Sequence, residues 1–339
     1  MGLHRRVLIA NRGEIAIRIA KAAGALGLES VSVFAPVDAL SLHTRMTTHA
    51  SAIGQGGGQD AVSAYLYGAA LIRIAGEMAC DCIHPGYGFL SENADFASQC
   101  VADGIAFIGP SPSALRLFGD KVAARALAQS IGIPVVPGSS AALASCDEAR
   151  EMAQDIGYPV MLKAAAGGGG RGMRAVTGEG EMTEAFQRCQ SEAAAAFGDG
   201  SLFIEKLIER PRHIEVQILA DAKGHTVHLH ERDCSVQIRN QKVIEIAPAA
   251  GLDAALRQNM LDDAVKLVAA ADYVNAGTVE FLVSPESGTY YFIECNPRIQ
   301  VEHTVTEQVT VIDLVETQFH IAGGASLASL GLADQAAVG

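Results

Sequence analysis

The sequence predicts an α/β protein in which sheets and helices pack in layers. Short β-branched runs alternate with alanine-rich helical stretches along the chain, which is typical of this class. Glycine is abundant, at 35 residues, and tryptophan is absent. The length of 339 residues predicts two or three domains with room for a large core.

The first domain is predicted to span residues 1–113 and to open with a βαβ unit. Its elements are predicted strands at 6–10, 30–34, 82–84 and 105–108, and a helix at 14–26. A Rossmann protein carries GxGxxG after its first strand, whereas this chain has Ala10-Asn-Arg-Gly-Glu14 there. We therefore expect the topology of a nucleotide-binding fold at this end without a NAD site.

A second module is predicted at 134–207, after a linker at 114–133. Pro134, Pro137 and Gly138 form a connector, and a strand ending at Lys163 precedes the glycine run Gly167–Gly170. Glycine backbone amides can wrap an anion closely, and Lys163 with Arg171 adds positive charge. A flexible linker is the alternative. A strand predicted at 173–176 makes the glycine run the tip of a hairpin, which favours a flap that closes over a nucleotide, and a strand at 202–205 ends the module.

The third region, 208–339, returns to alternating strands at 213–219, 226–231, 278–283 and 289–295. If Val283 faces Thr289, then Glu280 faces Phe292 and Glu294 lies one diagonal away, roughly 7–8 Å between Cα atoms. Asn296 completes a set of oxygen ligands that suits Mg²⁺ or Mn²⁺. A solvated strand face is the alternative, and the flanking aromatic residues favour the metal site.

Polar side chains recur at every second position after the last of these strands. They are Glu294, Asn296, Arg298, Gln300 and Glu302. On an extended segment they share one face, where a guanidinium can hold a small oxyanion bidentately and a carboxylate can accept its proton. The alternative is a surface salt-bridge ladder.

Composition excludes several functional classes. The net charge of -13 is opposite to that of a nucleic-acid binder. No apolar run approaches the roughly 20 residues that cross a bilayer, and the apolar stretch at 7–10 is too short for a signal peptide. Seven cysteines without a CxxC pair fit reduced thiols in a cytosol-like compartment.

Taken together, these motifs resemble those of biotin carboxylase, an ATP-grasp ligase. The matching segments, in the order of that family, are Ile9-Ala-Asn-Arg-Gly-Glu-Ile15, His84-Pro-Gly-Tyr-Gly-Phe-Leu-Ser-Glu-Asn93, Gly119-Asp-Lys121, 167–173, Glu231-Arg-Asp-Cys-Ser235, Gln241-Lys-Val243 and Arg298-Ile-Gln-Val-Glu-His303. The resemblance implies a Rossmann-like pre-ATP-grasp domain followed by an ATP-grasp fold with a small glycine-rich lid. It also implies that the C-terminal part of the usual fold is absent, leaving an exposed sheet edge or apolar patch.

The resemblance further implies ATP- and bicarbonate-dependent carboxylation of biotin through carboxyphosphate. It assigns ATP to Lys121, Lys163, Gly168, Gly169, Gly170, Glu205, Lys206, Ile208, His213, Gln237, Asn240, Glu280 and Glu294. It assigns one or two Mg²⁺ or Mn²⁺ ions to Glu280, Glu294 and Asn296. It assigns bicarbonate and biotin to Lys242, Arg298, Gln300, Val301, Glu302 and Tyr87, with Glu302 as the base.

The implied partners are a biotin carboxyl carrier domain and a carboxyltransferase subunit, and a homodimer is left open. The implied location is the cytoplasm, or the mitochondrial matrix in a eukaryote. Ile238, Asn240 and Ile246 differ from common family residues, whereas Cys295 should point into the core. Two alternatives stay open: a catalytically silent nucleotide-binding or assembly module, and an ATP-grasp ligase with another acceptor.

Overall fold

The computed structural model describes residues 4–54, 62–165 and 172–335. The predicted glycine flap, with Gly168, Gly169 and Gly170, lies outside the described residues. Within the three described ranges, no helix is long and apolar enough to cross a membrane.

The first layer is a parallel five-stranded sheet covered by helices. Its strands are β1 (Arg6–Ile9), β2 (Glu29–Phe34), β3 (His49–Ala52), β4 (Cys82–His84) and β5 (Ala106–Phe107), in the order β3-β2-β1-β4-β5. Its helices are α1 (Gly13–Ala25), α2 (His43–Met46), α3 (Gly68–Glu77) and α4 (Ala94–Ala102). Helix α1 buries Ile15, Ile19 and Ala23, which recur at helical spacing. The predicted βαβ opening is confirmed.

Two short helices lead into a smaller second layer. They are α5 (Pro112–Gly119) and α6 (Lys121–Ser130), and they are followed by α7 (Cys146–Ile156), β6 (Val160–Ala164), β7 (Met173–Val176), α8 (Met182–Phe197) and β8 (Leu202–Lys206). The strands form an antiparallel sheet in the order β7-β6-β8. Val160, Leu162 and Ile204 pack against α7 and α8, so this module has a core of its own.

The third layer is an antiparallel sheet in the order β11-β10-β9-β12-β13. Its elements are β9 (Arg212–Ala220), β10 (Thr226–Ile238), β11 (Gln241–Ile246), α9 (Ala254–Ala270), β12 (Asn275–Ser284), β13 (Thr289–Asn296), α10 (His303–Thr310) and α11 (Leu314–Ala322). One face packs on α9 through apolar residues such as Val216 and Phe281. Ile9 and Ile19 of the first layer share a core with Leu219 and Phe319, which brings the two layers together.

The register of the β12–β13 hairpin differs from the prediction by one residue. Ser284, rather than Val283, pairs with Thr289, so Phe281 faces Phe292. A bulge follows, and it places Glu280 directly opposite Glu294 instead of one diagonal away. An extra residue on one strand re-aims the side chains that follow it, and strand alternation alone does not reveal such a bulge. The correction brings the two carboxylates closer than predicted.

Candidate active site

A row of charged side chains crosses the second face of the third sheet. Arg232 pairs with Glu215, Glu215 with Glu280, and Glu280 with Glu294, on the four neighbouring strands β10, β9, β12 and β13. Three of the four are carboxylates, and like charges directly opposite one another destabilise a sheet. The row therefore requires cations close to it.

Lys242 of β11 supplies one of these cations. Its ammonium donates hydrogen bonds to Glu280 Oε1 and Glu302 Oε1, each at 2.8 Å, and to Glu215. Burial lowers the pKa of Lys242, but the three carboxylates raise it by more, so the pKa lies above its ordinary value. Lys242 is therefore a fixed positive charge at neutral pH.

Arg232 supplies the second cation, and its guanidinium is fully buried. Its Nε donates to Glu215 at 2.6 Å, and its other nitrogens donate to Gln217 at 2.8 Å, Thr306 at 2.7 Å and Gln300 at 2.9 Å. Neither Arg232 nor Glu215 was among the predicted site residues. The signal that was available is the polar alternation of His213, Glu215 and Gln217 along β9.

His213 reaches the same carboxylate from β9. Its Nε2 lies 2.7 Å from Glu280 Oε2, and its Nδ1 accepts a hydrogen bond from the Gln237 amide at 2.8 Å. Burial lowers the pKa of His213, while the hydrogen bond and charge of Glu280 raise it by more, so the net shift is upward. The hydrogen bonds and charges of His213 and Lys242 hold the pKa of Glu280 far below its usual range, although burial alone would raise it.

Glu294 and Asn296 lie beside Glu280 at the edge of the sheet. Glu294 Oε2 is 3.3 Å from the Lys121 ammonium at the start of α6, and Asn296 Nδ2 donates to Glu280 at 2.9 Å. Asn296 Oδ1 accepts from Arg298 at 2.9 Å. These oxygen donors suit a hard divalent cation that takes its remaining ligands from phosphates. The residues present thus fit the predicted Mg²⁺ or Mn²⁺ site.

The segment after Asn296 is not extended, which corrects the predicted alternation. Strand β13 ends at Asn296, and the chain turns before α10, with Glu302 at the N-cap position. Gln300 still reaches Glu280, donating at 3.0 Å, and Glu302 reaches Lys242, whereas Val301 is exposed. Convergence here comes from a turn rather than from strand periodicity.

Glu302 is buried and ionised. Burial raises its pKa, but the charge and hydrogen bond of Lys242 lower it by more, so the net shift is downward. Arg298, beside it along the turn, is oriented by Glu92 of the first layer, whose Oε1 accepts from Arg298 Nε at 2.6 Å. Glu92 was predicted only as a member of the His84–Asn93 motif, without a partner. Its contact with Arg298 joins two layers that are far apart in the sequence, so local patterns do not predict it.

A second cluster lies between the small module and the helices before it. Lys163 of β6 and Arg125 of α6 both donate to the buried carboxylate of Glu205, the latter at 3.1 Å. Lys206 donates instead to the backbone carbonyls of Gly157 and Tyr158. Ile208 follows β8 and is half-buried. The structure thus gathers Lys163 and Glu205, whereas Lys206 points to the backbone of its own module.

Two predicted residues lie at loops. Arg239 and Asn240 form the two-residue turn between β10 and β11 with φ of 53° and 63°, and Asn240 is exposed. Left-handed conformations at both positions are typical of a type I′ turn, which favours asparagine.

Tyr87 is half-buried after β4, and its carbonyl accepts a hydrogen bond from Asn11 at 2.8 Å. Cys295 is buried in the core, as predicted.

Comparison with known proteins identifies the family. Residues 3–115 match the model described as "Biotin carboxylase, N-terminal domain", and residues 120–330 match "Carbamoyl-phosphate synthase L chain, ATP binding domain". Mitochondrial pyruvate carboxylase of Homo sapiens is 53% identical over 328 residues, which are 97% of this chain and 28% of that protein. The chain therefore spans less than a third of this curated relative.

Solved structures agree in fold. Biotin carboxylase of Campylobacter jejuni, solved as a β-γ-ATP complex, is 44% identical with a TM-score of 0.93, covering 99% of this chain and 73% of that one. The biotin carboxylase domain of Hydrogenobacter thermophilus 2-oxoglutarate carboxylase was solved as a dimer with MgADP, ADP and bicarbonate. It is 43% identical, with a TM-score of 0.91, and the match covers 96% of this chain and 71% of that one. This chain belongs to the biotin carboxylase family.

Proposed function

We propose that this chain carboxylates biotin with ATP and bicarbonate, as the first half-reaction of a biotin-dependent carboxylase. The observation that carries the proposal is the Lys242 ammonium, held at 2.8 Å from both Glu280 and Glu302. Such a centre joins a carboxylate suited to a metal ion with one suited to act as a base. Arg298 lies next to it and completes an anion site.

Bicarbonate is held by Lys242, Arg298, Gln300 and the backbone of Val301 in this proposal. The pKa of Glu302 is low because Lys242 stabilises its charge. When the bicarbonate anion also contacts the Lys242 ammonium, it neutralises part of the charge that stabilises the Glu302 carboxylate. The pKa of Glu302 then rises. Glu302 then accepts the bicarbonate proton as the oxygen attacks the γ-phosphate of ATP and ADP leaves.

The nucleotide lies between the third sheet and the small module. Lys121, Lys163 and the segment with Gly168, Gly169 and Gly170 bind its phosphates. Glu205, Lys206 and Ile208 receive the base, and His213, Gln237 and Asn240 flank the nucleoside. One or two divalent ions, held by Glu280, Glu294 and Asn296, would neutralise part of the phosphate charge. In the structure Lys121 and Lys163 each contact a carboxylate, and the phosphates would take the place of these carboxylates.

Biotin enters from the side of Tyr87 and Arg298. The carboxyphosphate formed in the first step breaks into CO₂ and phosphate, and the phosphate removes the proton from N1 of biotin. N1 then forms the bond to CO₂, while the Arg298 guanidinium stabilises the negative charge that develops on the ureido oxygen. Exclusion of water protects the carboxyphosphate during these steps.

The proposal includes the wider setting of the chain. A carrier domain presents biotin, a carboxyltransferase uses the product, and two copies of the chain associate. The domains are 1–113, a linker at 114–133, a lid at 134–207 and the remaining ATP-grasp portion at 208–339. The location is the cytoplasm, or the mitochondrial matrix in a eukaryote. The human relative named above carries "mitochondrial" in its name, which supports the second location for a eukaryotic source.

The test is ADP release by the chain with ATP, MgCl₂, bicarbonate and free biotin. We expect biotin-stimulated turnover in the wild type and its loss in Glu302→Gln. Glu286→Gln is the matched control, because Glu286 is exposed in the β12–β13 loop, where it makes a 3.7 Å ion pair with the exposed side chain of Arg210. ATP binding is titrated in parallel for all three proteins.

The outcomes separate the alternatives. Tight ATP binding without turnover would favour a silent nucleotide-binding module. Bicarbonate-dependent ADP release that ignores biotin would favour another acceptor. Equal activity of Glu302→Gln and Glu286→Gln would contradict the role of Glu302.

A further inference from the structure

A buried histidine holds the turn that carries Glu302. His303 begins α10, and its Nδ1 lies 2.8 Å from the carbonyl oxygen of Gln300. The backbone N–H of His303 donates to the same carbonyl at 3.3 Å. Because a carbonyl only accepts hydrogen bonds, Nδ1 carries the ring proton and Nε2 has a lone pair. The imidazole ring thus bonds back to the residue that begins the Gln300–Glu302 turn and holds the turn in place.

His84 of the first layer has the opposite tautomer. It is the last residue of β4 and is fully buried. Its Nδ1 accepts the backbone N–H of Gly86 at 3.0 Å, so the ring proton is on Nε2. Burial lowers the pKa of His84 to about 3, and the ring is therefore neutral.

His84 lies beside both Gln318 and His303. Burial lowers the pKa of the His84 ring and outweighs its hydrogen bond with the Gln318 side chain, which raises that pKa, whereas the charge of His303 lowers it further. His303 Nε2 is buried and has no hydrogen-bond partner among the described residues. The polar contact that orients the His303 ring is therefore the one from Nδ1 to the Gln300 carbonyl.

The charged groups nearby do not hydrogen-bond His303 Nε2. Arg18 donates to Glu307 Oε1 at 2.7 Å and contacts Asp313 at 2.7 Å. The other Glu307 oxygen is 3.9 Å from His303 Nε2, which is too far for a hydrogen bond. Arg18 is thus satisfied by Glu307 and Asp313, and Glu307 Oε1 also accepts the backbone N–H of Leu314 at 2.8 Å.

We propose that His303 is a positioning residue for the Gln300–Glu302 turn, which it holds through the hydrogen bond from its Nδ1–H to the Gln300 carbonyl, beside the buried ring of His84. His84 belongs to the first layer and His303 to the third, so packing of the two layers sets the geometry of the turn. The kinetic part rests on the proposed function of Glu302. The tautomers do not.

The kinetic test uses two amides that mimic different ring nitrogens. His303→Asn places its NH₂ near the position of Nδ1, whereas His303→Gln places it near Nε2. We expect kcat/KM for bicarbonate to fall by about tenfold to a hundredfold in His303→Gln, since a displaced turn misplaces the base. His303→Asn should stay within about threefold of wild type, and KM for ATP should change little in either.

His43→Gln is the control for loss of a buried histidine. His43 is buried in α2, where its Nε2 contacts the carbonyl of Val33 at 3.2 Å, remote from the turn. We expect reduced stability with unchanged bicarbonate kinetics. Equal losses in His303→Asn and His303→Gln, or a parallel rise in KM for ATP, would contradict positioning by the Nδ1 proton.

A spectroscopic test is independent of turnover. Long-range ¹H–¹⁵N spectra of the imidazole rings in the wild-type chain should show the Nδ1–H tautomer for His303 and the Nε2–H tautomer for His84. The reverse tautomer at either ring, or a protonated ring at neutral pH, would overturn the inference. If the wild type shows these tautomers but no turnover, the proposed function fails while the hydrogen-bond arrangement stands.

Discussion

Arg232 is the side chain whose replacement we expect to destabilise this protein most. Its guanidinium is fully buried and donates to Glu215, Gln217, Gln300 and Thr306 at 2.6–2.9 Å. Methionine has a similar length and no charge, so Arg232→Met retains most of the packing and removes these four hydrogen bonds. Glu215 keeps its hydrogen bond from the Lys242 ammonium.

The magnitude follows from the burial of the pair. Breaking a buried ion pair by removing one partner costs about 3–5 kcal/mol, because the remaining charge loses the compensation which that partner supplied. The hydroxyl of Thr306 and the amides of Gln217 and Gln300 can reorient, so we take about 4 kcal/mol for the whole change. At roughly 2 °C per kcal/mol for a chain of this length, the Tm should fall by about 8 °C.

The assay is thermal unfolding followed by circular dichroism, with Arg257→Met as the control. Arg257 also pairs with a buried carboxylate, donating to Glu231 at 2.9 Å, but its own side chain is 34% exposed. Water can replace it there, and we expect a loss of about 1 kcal/mol. If Arg232→Met lowers the Tm no more than Arg257→Met does, the reasoning about buried charge is wrong.

Three further predictions concern the turn and the helices around it. Val311 follows α10 with a left-handed backbone (φ 60°), and its side chain is 90% exposed. A β-branched residue is strained in this conformation, so Val311→Gly should raise the free energy of unfolding in urea by about 1 kcal/mol. An unchanged urea midpoint would contradict this. The folded-state pKa of Glu302 lies below its ordinary value of 4.5, so its contribution to stability is present above that value and is lost as the pH falls through the folded pKa. In melting curves taken from neutral pH to about pH 3, Glu302→Gln should therefore lose less stability than wild type, and parallel curves would refute the shift. Glu92→Gln should weaken the orientation of Arg298 and raise KM for bicarbonate about threefold without changing KM for ATP, and a change confined to ATP would place Glu92 elsewhere.

The elements that local periodicity defines were predicted within a few residues. The helix after β1 and four of the five strands of the third sheet follow from apolar spacing, which depends on neighbours in the chain, whereas β11 and the second half of β10 were not predicted. The predicted register of β12 and β13 was wrong, because a bulge between the pairs of Glu280 and Phe281 depends on both strands at once. The extended segment after Asn296 was also wrong, since α10 begins at His303 and requires a turn before it.

The candidate site shows the same division. The polar set from Glu294 to Glu302 stood out by its spacing, and the family motifs added Lys242. Glu215 and Arg232 were missed, because a charged residue within a strand is equally typical of a solvated face until its neighbours are known. Glu92 was not assigned a role, because it meets Arg298 only when the first and third layers pack.

The sequence by itself determined the α/β class, the order of most strands and the family to which the chain belongs. Helix and strand periodicity and contiguous motifs are local properties, so they can be recognised in the sequence alone. Only the tertiary structure decided which carboxylates face each other, which cations neutralise them and which ring nitrogens of His84 and His303 carry protons. Those features depend on distances between residues far apart in the chain, and burial strengthens every such interaction by removing water.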